Sequence, residues 1–144
     1  RGYAAKEKLC LLLNEQGHDV IDMGTNSARS CDYTDGAYVA SLAVANGQVD
    51  TAVLLCGSGI GMSISANKVH GVRAALCNDE LSAQMARRHN DANVLSLGQR
   101  MVAPPLALEI VSVFLQTPFD GGRHERRLRM IDTGATDGNE VPHA

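Results

Sequence analysis

The sequence predicts an α/β domain built on a doubly wound parallel sheet with helices on both faces, in a three-layer α/β/α arrangement. Short apolar runs alternate with helical patterns along almost the whole chain, which is the order that a parallel sheet covered by helices requires. The run TAVLLC at 51–56 shows no alternation of apolar and polar residues, as expected of a strand buried on both faces. With 144 residues and 44% hydrophobic content, the chain is long enough for one such core.

The first half of the chain supplies a helix, a strand, a second helix and a second strand. Leu9, Leu12 and Leu13 share one face of a helix over 4–16, and Gly17 ends it. The run DVIDM predicts a short strand over 19–23. An alanine-rich stretch predicts a helix over 35–47, and the buried strand 51–56 follows it.

The second half continues the same alternation. The segment 79–90 has acidic residues in its first turn and Arg87, Arg88 and His89 in its last, the charge order that a helix dipole favours. Pro104 and Pro105 begin a further helix. The predicted elements are, in order, a strand over 72–77, a helix over 79–90, a strand over 93–97, a helix over 104–115 and a basic helix over 121–131.

The two ends of the chain carry separate expectations. The chain begins on a helix where the alternation calls for a strand, so we expect that a first strand is missing from this sequence. Residues 1–132 are expected to form a single domain. The polar composition of residues 133–144 predicts a loose tail.

Composition excludes several classes of function. A formal net charge of -3 and an aromatic content of 3% argue against sequence-independent binding to nucleic acid. No apolar run reaches membrane-spanning length, and the first residues lack the features of a signal peptide. The four cysteines form no C-x-x-C pair, so a zinc site has little support, and Cys10 and Cys77 are interpreted as small buried apolar residues. We expect a cytoplasmic protein with no membrane or nucleic-acid partner.

The stretch CGSGIGMSISANK, residues 56–68, holds the densest chemical signal. It follows a buried strand and opens a helix, so its backbone N–H groups are placed to meet an anion or a developing oxyanion. The dinucleotide-binding pattern G-x-G-x-x-G is the main alternative, but Met62 stands where that pattern needs a small residue. The phosphate-binding P-loop pattern fails because no Lys follows the last glycine.

Side chains in and beyond this loop suggest catalysis. Cys56 stands at the positive end of the following helix, which favours the thiolate and would provide a base or nucleophile, although a buried strand-end thiol is the alternative. His89 and Asn90 end a helix just before a strand, which we interpret as the same functional edge of the sheet; a simple helix cap is the alternative. Arg123 and Arg127 lie four apart, a spacing suited to a phosphate or carboxylate, or to a solvated face.

Four motifs in order, DYTD, CGSGIGMSISANK, ARRHNDANVLSLGQR and FDGGRHERR, resemble the type B ribose-5-phosphate isomerases, whose wider group includes galactose-6-phosphate and allose-6-phosphate isomerases. The similarity runs from about Tyr3 to Ile131. It implies a Rossmann-like fold and a cofactor-free, metal-free interconversion of an aldose phosphate and a ketose phosphate, ribose 5-phosphate and ribulose 5-phosphate, through a cis-enediolate.

The resemblance also assigns roles to individual residues. Cys56 matches the base that moves a proton between C1 and C2, and Met62 takes the place of the glutamate used in another branch. His89, helped by Asn90, matches the acid that opens the sugar ring. The remaining matches are the enediolate loop Gly57, Ser58, Gly59, Ile60 and Gly61, the substrate and phosphate contacts Arg100, Arg123 and Arg127, and the pocket-lining Tyr33.

The resemblance implies a homodimer with shared active sites, in which His89 and some arginines reach a neighbouring Cys56 loop; two such dimers can combine. One departure concerns the sugar contacts. Family members begin with a strand ending in an Asp-His pair, which is absent here. The substrate's carbon number stays open between five and six. Cysteine acyl transfer and a non-catalytic nucleotide-binding regulatory module remain as alternative functions.

Overall fold

The computed structural model describes residues 2–136 and 139–140, and the side chains of residues 2–134. The helices are α1 (Tyr3–Glu15), α2 (Tyr33–Ala45), α3 (Ile60–Ala66), α4 (Glu80–Asn90), α5 (Pro104–Gln116) and α6 (Arg123–Thr133). The strands are β1 (Ala52–Cys56), β2 (Ala74–Leu76), β3 (Val94–Gly98), β4 (Ala135–Thr136) and β5 (Asn139–Glu140).

Three parallel strands form the main sheet in the order β1-β3-β2. The register pairs Ala52 with Val94 and Cys56 with Gly98, so β1 and β3 begin at one edge of the sheet and end at the other. Every residue of the central strand β3 is buried, whereas the prediction of a fully buried strand at 51–56 is wrong, because only Ala52 and Leu54 of β1 are buried in this chain. The carboxyl edge of the sheet is therefore the edge at which Cys56 lies.

The core has two parts, one on each face of the sheet. Leu95 and Leu97 of β3 pack with buried residues of α1, α4 and α5. Val94 points to the opposite face and joins the cluster formed with α2 and α3. Because successive side chains of a strand alternate between faces, one buried strand supplies both clusters. The predicted three-layer α/β/α architecture is confirmed.

The predicted strand at 19–23 is wrong. These residues are irregular, and no backbone hydrogen bond among the described residues joins them to a strand. Asp22 instead accepts hydrogen bonds from the Lys6 ammonium and the Gly24 amide. An extended segment becomes a strand only beside a hydrogen-bonded partner, and the described residues provide none here. The strand expected before residue 1 stays a prediction.

The end of the chain is only partly described, and the predicted domain boundary and loose tail stay predictions. Helix α6 continues to Thr133, and β4 pairs with β5 in an antiparallel ladder, so the backbone of the predicted tail is locally paired. Residues 137–138 and 141–144 of that tail lie outside the described residues. No described helix has the length and apolar content needed to cross a bilayer.

Candidate active site

The glycine loop follows β1 directly and leads into α3. Gly59 is the residue before the helix and has a left-handed backbone, with φ of 78°. A Cβ atom placed on Gly59 would lie 2.6 Å from Leu76 Cδ1 and 2.8 Å from the carbonyl carbon of Leu97. Both the conformation and the space therefore require glycine at this position.

The loop is pressed against the carboxyl end of β3. A Cβ atom on Gly98 would lie 2.4 Å from the carbonyl oxygen of Ser58. The amide of Gln99 donates to the Cys56 carbonyl at 2.8 Å, and the amide of Arg100 donates to the Gly57 carbonyl at 3.0 Å. These bonds place the backbone of Arg100 beside the glycine loop, as the sequence prediction requires.

The sulfur of Cys56 contacts the loop that follows it. Cys56 Sγ accepts a hydrogen bond from the Gly59 amide at 3.1 Å, and Ser58 Oγ accepts one from the Ile60 amide at 3.2 Å. Cys56 is half-buried, so its sulfur is oriented by the loop without being sealed in the core. One amide of the predicted enediolate loop thus faces the thiol itself.

Tyr33 completes the group of residues at this edge. A Cβ atom on Gly61 would lie 2.6 Å from two carbons of the Tyr33 ring, so the ring lies directly over the backbone of Gly61. Tyr33 is half-exposed and can line a pocket. The structure brings together eight of the predicted site residues: Tyr33, Cys56, Gly57, Ser58, Gly59, Ile60, Gly61 and Arg100.

His89 and Asn90 lie at the opposite, amino edge of the sheet, so the prediction that placed them at the edge of Cys56 is wrong. The Asn90 carbonyl accepts a hydrogen bond from Arg73 Nε at 3.0 Å, and Arg73 directly precedes β2. A helix that leads into a parallel strand must end where that strand begins. The five residues of β1 separate the two edges by roughly 13 Å at about 3.3 Å per residue.

A second cluster surrounds His89. Its ring stacks on the ring of His124, with centroids 4.5 Å apart and planes at 14°. Burial lowers the pKa of His124, and the positive charges of His89, Arg123 and Arg127 lower this pKa further. Asp120 lies in the same cluster, where its carboxylate binds Arg88 at 3.1 Å. The predicted residues His89, Arg123 and Arg127 therefore share one region on α4 and α6.

His124 and Asp120 were missed by the sequence reasoning, although the sequence contains a signal for His124. His124 and Leu128 are the buried residues of α6, four positions apart, whereas Arg123 and Arg127 are exposed. This spacing predicts that His124 shares the inward face with Leu128. The signal was overlooked because the surrounding arginines dominate the motif.

The donor atoms of His89, Asp120 and His124 lie within 4.8 Å of one another, close enough to consider a metal ion. However, the Asp120 carboxylate is already bound by Arg88, and Arg123 and Arg127 add positive charge. Cations around a site repel a further cation and attract an anion. The cluster is thus better suited to a phosphate than to a metal, and the expected absence of a metal stays a prediction.

Comparison with known proteins extends these observations. The family model described as Ribose/Galactose Isomerase matches residues 1–131. Ribose-5-phosphate isomerase B of Escherichia coli is 45% identical over 130 residues, which cover 90% of this chain and 87% of that protein. D-erythrulose-4-phosphate isomerase of Pectobacterium atrosepticum is 50% identical over 120 residues, covering 83% and 79%.

A solved structure supports the same relationship. Ribose-5-phosphate isomerase B of Clostridium thermocellum superposes with a TM-score of 0.90 at 45% identity, covering 91% of this chain and 88% of that one. The resemblance to type B ribose-5-phosphate isomerases and the Rossmann-like fold are therefore confirmed. Sequence, fold and family model agree that this chain belongs to the ribose/galactose isomerase family of sugar-phosphate isomerases.

Proposed function

We propose that this protein interconverts ribose 5-phosphate and ribulose 5-phosphate through a cis-enediolate. The observation that carries the proposal is the geometry of Cys56. Its sulfur accepts a hydrogen bond from the Gly59 amide at 3.1 Å, at the start of a loop in which residues 57, 59 and 61 are glycine. The 45% identity to an enzyme named ribose-5-phosphate isomerase B supports the choice of substrate.

In the proposed reaction, the Cys56 thiolate removes the proton from C2 of the open-chain aldose and returns it to C1. Negative charge develops on the oxygen at C1 as the C2 proton leaves, and the C2 hydroxyl passes its proton to that oxygen before C1 is protonated, so that C2 becomes the carbonyl. Ser58 Oγ accepts the Ile60 amide, which leaves the hydroxyl hydrogen of Ser58 available to that oxygen. Donors that are already oriented before charge develops lower the barrier more than donors that must reorganise.

Ring opening and phosphate binding belong to the second cluster. His89 protonates the ring oxygen, with Asn90 beside it, and Arg123 and Arg127 bind the phosphate while Arg100 contacts the sugar from the loop side. Because His89 and Cys56 lie at opposite edges of the sheet, a site using both is completed by a second chain. We therefore propose a cytoplasmic homodimer with shared sites, with a dimer of dimers as a further assembly.

The surface next to the loop supports this dimer. Helices α2 and α3 pack against each other and expose large apolar side chains, each 40–57% accessible: Tyr38, Val39, Leu42, Ile60 and Ile64. Exposed apolar surface of this kind is typical of protein interfaces. Ile60 belongs both to this surface and to the catalytic loop, so an interface here would adjoin the proposed active site.

A four-carbon substrate is the second candidate. The relative that is named a D-erythrulose-4-phosphate isomerase is 50% identical, a higher identity than that of the Escherichia coli enzyme. The same enediolate chemistry applies to any phosphorylated 2-hydroxy aldehyde, so the choice depends on the distance between the phosphate-binding and enediolate-binding groups. Six-carbon aldose phosphates form the third possibility.

The test is turnover of four-, five- and six-carbon sugar phosphates, with each reaction run in deuterated water. The proposal expects the highest kcat/KM for ribose 5-phosphate and deuterium at C2 of the aldose formed from ribulose 5-phosphate. Highest activity on the four-carbon substrate would move the assignment to that substrate. A trapped thioester would favour cysteine acyl transfer, and nucleotide binding without any turnover would favour a regulatory module.

A further inference from the structure

A buried polar contact lies beneath the glycine loop. Ser96 lies in the middle of β3 between Leu95 and Leu97 and is fully buried. Its hydroxyl donates a hydrogen bond to the Gly59 carbonyl at 2.7 Å. A hydroxyl buried among apolar side chains is unfavourable unless it is bonded, so this contact, together with the bond from the Ser63 amide, holds the Gly59 carbonyl in its direction.

The contact between Ser96 and the Gly59 carbonyl also orients the rest of the peptide group to which that carbonyl belongs. The Gly59 carbonyl and the Ile60 amide belong to the same planar peptide group, in which the C=O and N–H bonds point in opposite directions. With the carbonyl held towards the sheet, the amide of Ile60 points away from it, to the side where it meets Ser58 Oγ at 3.2 Å. The same carbonyl accepts the Ser63 amide at 3.1 Å in the first turn of α3.

The rest of the loop depends on this peptide orientation. Gly59 has a left-handed φ, and its own amide meets Cys56 Sγ. A rotation of the Gly59–Ile60 peptide would direct a carbonyl oxygen towards the substrate side, where negative charge develops in the proposed reaction. An oxygen there would repel the enediolate, whereas the Ile60 N–H bonds to Ser58 Oγ and so leaves the Ser58 hydroxyl hydrogen available to it.

We infer that Ser96 is a positioning residue that orients the Gly59–Ile60 peptide and so prepares the glycine loop for the enediolate. This inference rests on the proposed isomerase function. Ser96 does not touch the substrate, and it acts through Gly59 and Ile60. Its contribution should therefore appear in the reaction step and not in the binding of the ground-state sugar.

The experiment compares Ser96→Ala with Ser96→Cys and with the matched control Ser41→Ala. Ser41 is another fully buried serine, on α2, whose hydroxyl finds no hydrogen-bond partner among the residues that the structure describes. Two probes are used: a phosphorylated hydroxamate that imitates the planar enediolate, and ribitol 5-phosphate, which has no planar group. Turnover, affinity for both probes and the ¹⁵N–¹H resonance of Ile60 are measured for each variant.

For Ser96→Ala we expect kcat and hydroxamate affinity to fall together by about threefold to thirtyfold, less than the 10²-fold or greater loss that follows removal of an oxyanion donor itself. KM and ribitol 5-phosphate affinity should stay unchanged, and the Ile60 resonance should shift. Ser96→Cys, with its weaker donor, should give a smaller loss in the same two quantities. Ser41→Ala should leave all of them unchanged.

Unchanged kcat in Ser96→Ala, or equal loss of affinity for both probes, would overturn the inference. If Ser96→Ala does not fold, Ser96→Cys provides the same comparison. If the wild-type protein turns over no sugar phosphate, the proposed function fails, and the Ile60 resonance still reports whether Ser96 holds the loop. An Ile60 resonance that is the same in wild type and the Ser96 variants would contradict the orientation argument directly.

Discussion

At the scale of single residues, Cys56 and Cys77 both lie at the carboxyl end of a strand, but they differ in burial and in hydrogen bonding, which gives one a chemical role and the other a structural role. Cys77 is fully buried, and burial raises the pKa of its thiol. Cys56, the last residue of β1, is half-buried, and its sulfur accepts a hydrogen bond from a backbone amide. A thiol sealed in the core acts as a small apolar side chain, whereas one at the mouth of a loop can exchange a proton with a substrate.

Replacing these two cysteines should therefore have different effects. Cys56→Ser should lower kcat by about 10²- to 10⁴-fold with KM nearly unchanged, because a base acts in the transition state. Cys77→Ser should leave kcat near the wild-type value and reduce the free energy of unfolding. Steady-state kinetics and urea titrations measure both quantities. Full activity in Cys56→Ser would remove Cys56 from the proposed mechanism.

The buried His124 predicts a dependence of stability on pH. Burial lowers its pKa below the ordinary 6.5, so the unfolded chain binds more protons than the folded chain as the pH falls through 6.5. The free energy of unfolding should decrease between pH 7.5 and pH 5.5, and His124→Gln should weaken this dependence. An identical slope in wild type and His124→Gln would contradict the assignment.

At the scale of elements, helices and strands were predicted correctly from the sequence where the local pattern of apolar residues is enough to define them. The continuous apolar run at 51–56 predicted a strand, and β1 occupies Ala52–Cys56, although Val53, Leu55 and Cys56 are only partly buried. The strand at 19–23 failed because strand formation also needs a neighbour, which the local pattern does not contain. The edge of the sheet at which His89 lies follows from chain direction, and the sequence interpretation applied that rule incorrectly.

The glycines around the loop make a testable contrast at this scale. Gly98→Ala should destabilise the fold by about 1–3 kcal/mol and lower kcat, because the new Cβ would meet the backbone oxygen of Ser58, which cannot move alone. Gly61→Ala should keep or raise stability, since alanine favours a helix by about 1 kcal/mol and the half-exposed Tyr33 ring can move aside.

Displacement of the Tyr33 ring should make Gly61→Ala bind the substrate more weakly. We expect a higher KM with little change in kcat, and Tyr33→Ala should reproduce that increase. Thermal unfolding and steady-state kinetics on the three variants provide the comparison. Equal stability of Gly98→Ala and Gly61→Ala would show that the loop is not packed as tightly as the distances indicate.

At the scale of the whole molecule, the candidate site is divided between two edges of one sheet. The sequence predicted the loop residues together with His89, Asn90, Arg123 and Arg127, but it could not show that they form two separate groups. That separation depends on the strand order β1-β3-β2, which arises from pairing between distant segments. The resemblance supplied the expectation of shared sites, and the opposite edges now give it a geometric reason.

Mixing two inactive variants tests the shared site. Cys56→Ser and His89→Ala should each be inactive alone, but a mixed dimer pairs the intact Cys56 of one chain with the intact His89 of the other. Activity should recover to about one quarter of wild type when half of the dimers are mixed and each has one complete site of two. Native mass spectrometry verifies the exchange. No recovery after verified exchange would place each site within one chain.

The position of Cys56 and His89 at opposite edges has a consequence for inheritance. In the proposed dimer with shared sites, a chain that carries both Cys56→Ser and His89→Ala would inactivate both sites of every mixed dimer, because it supplies one defective residue to each site. Co-expressed at equal dose with the normal chain, it should leave about one quarter of the dimers active, whereas either single change should leave about half of the sites. The double variant would behave as a dominant-negative allele, although neither lesion alone does so.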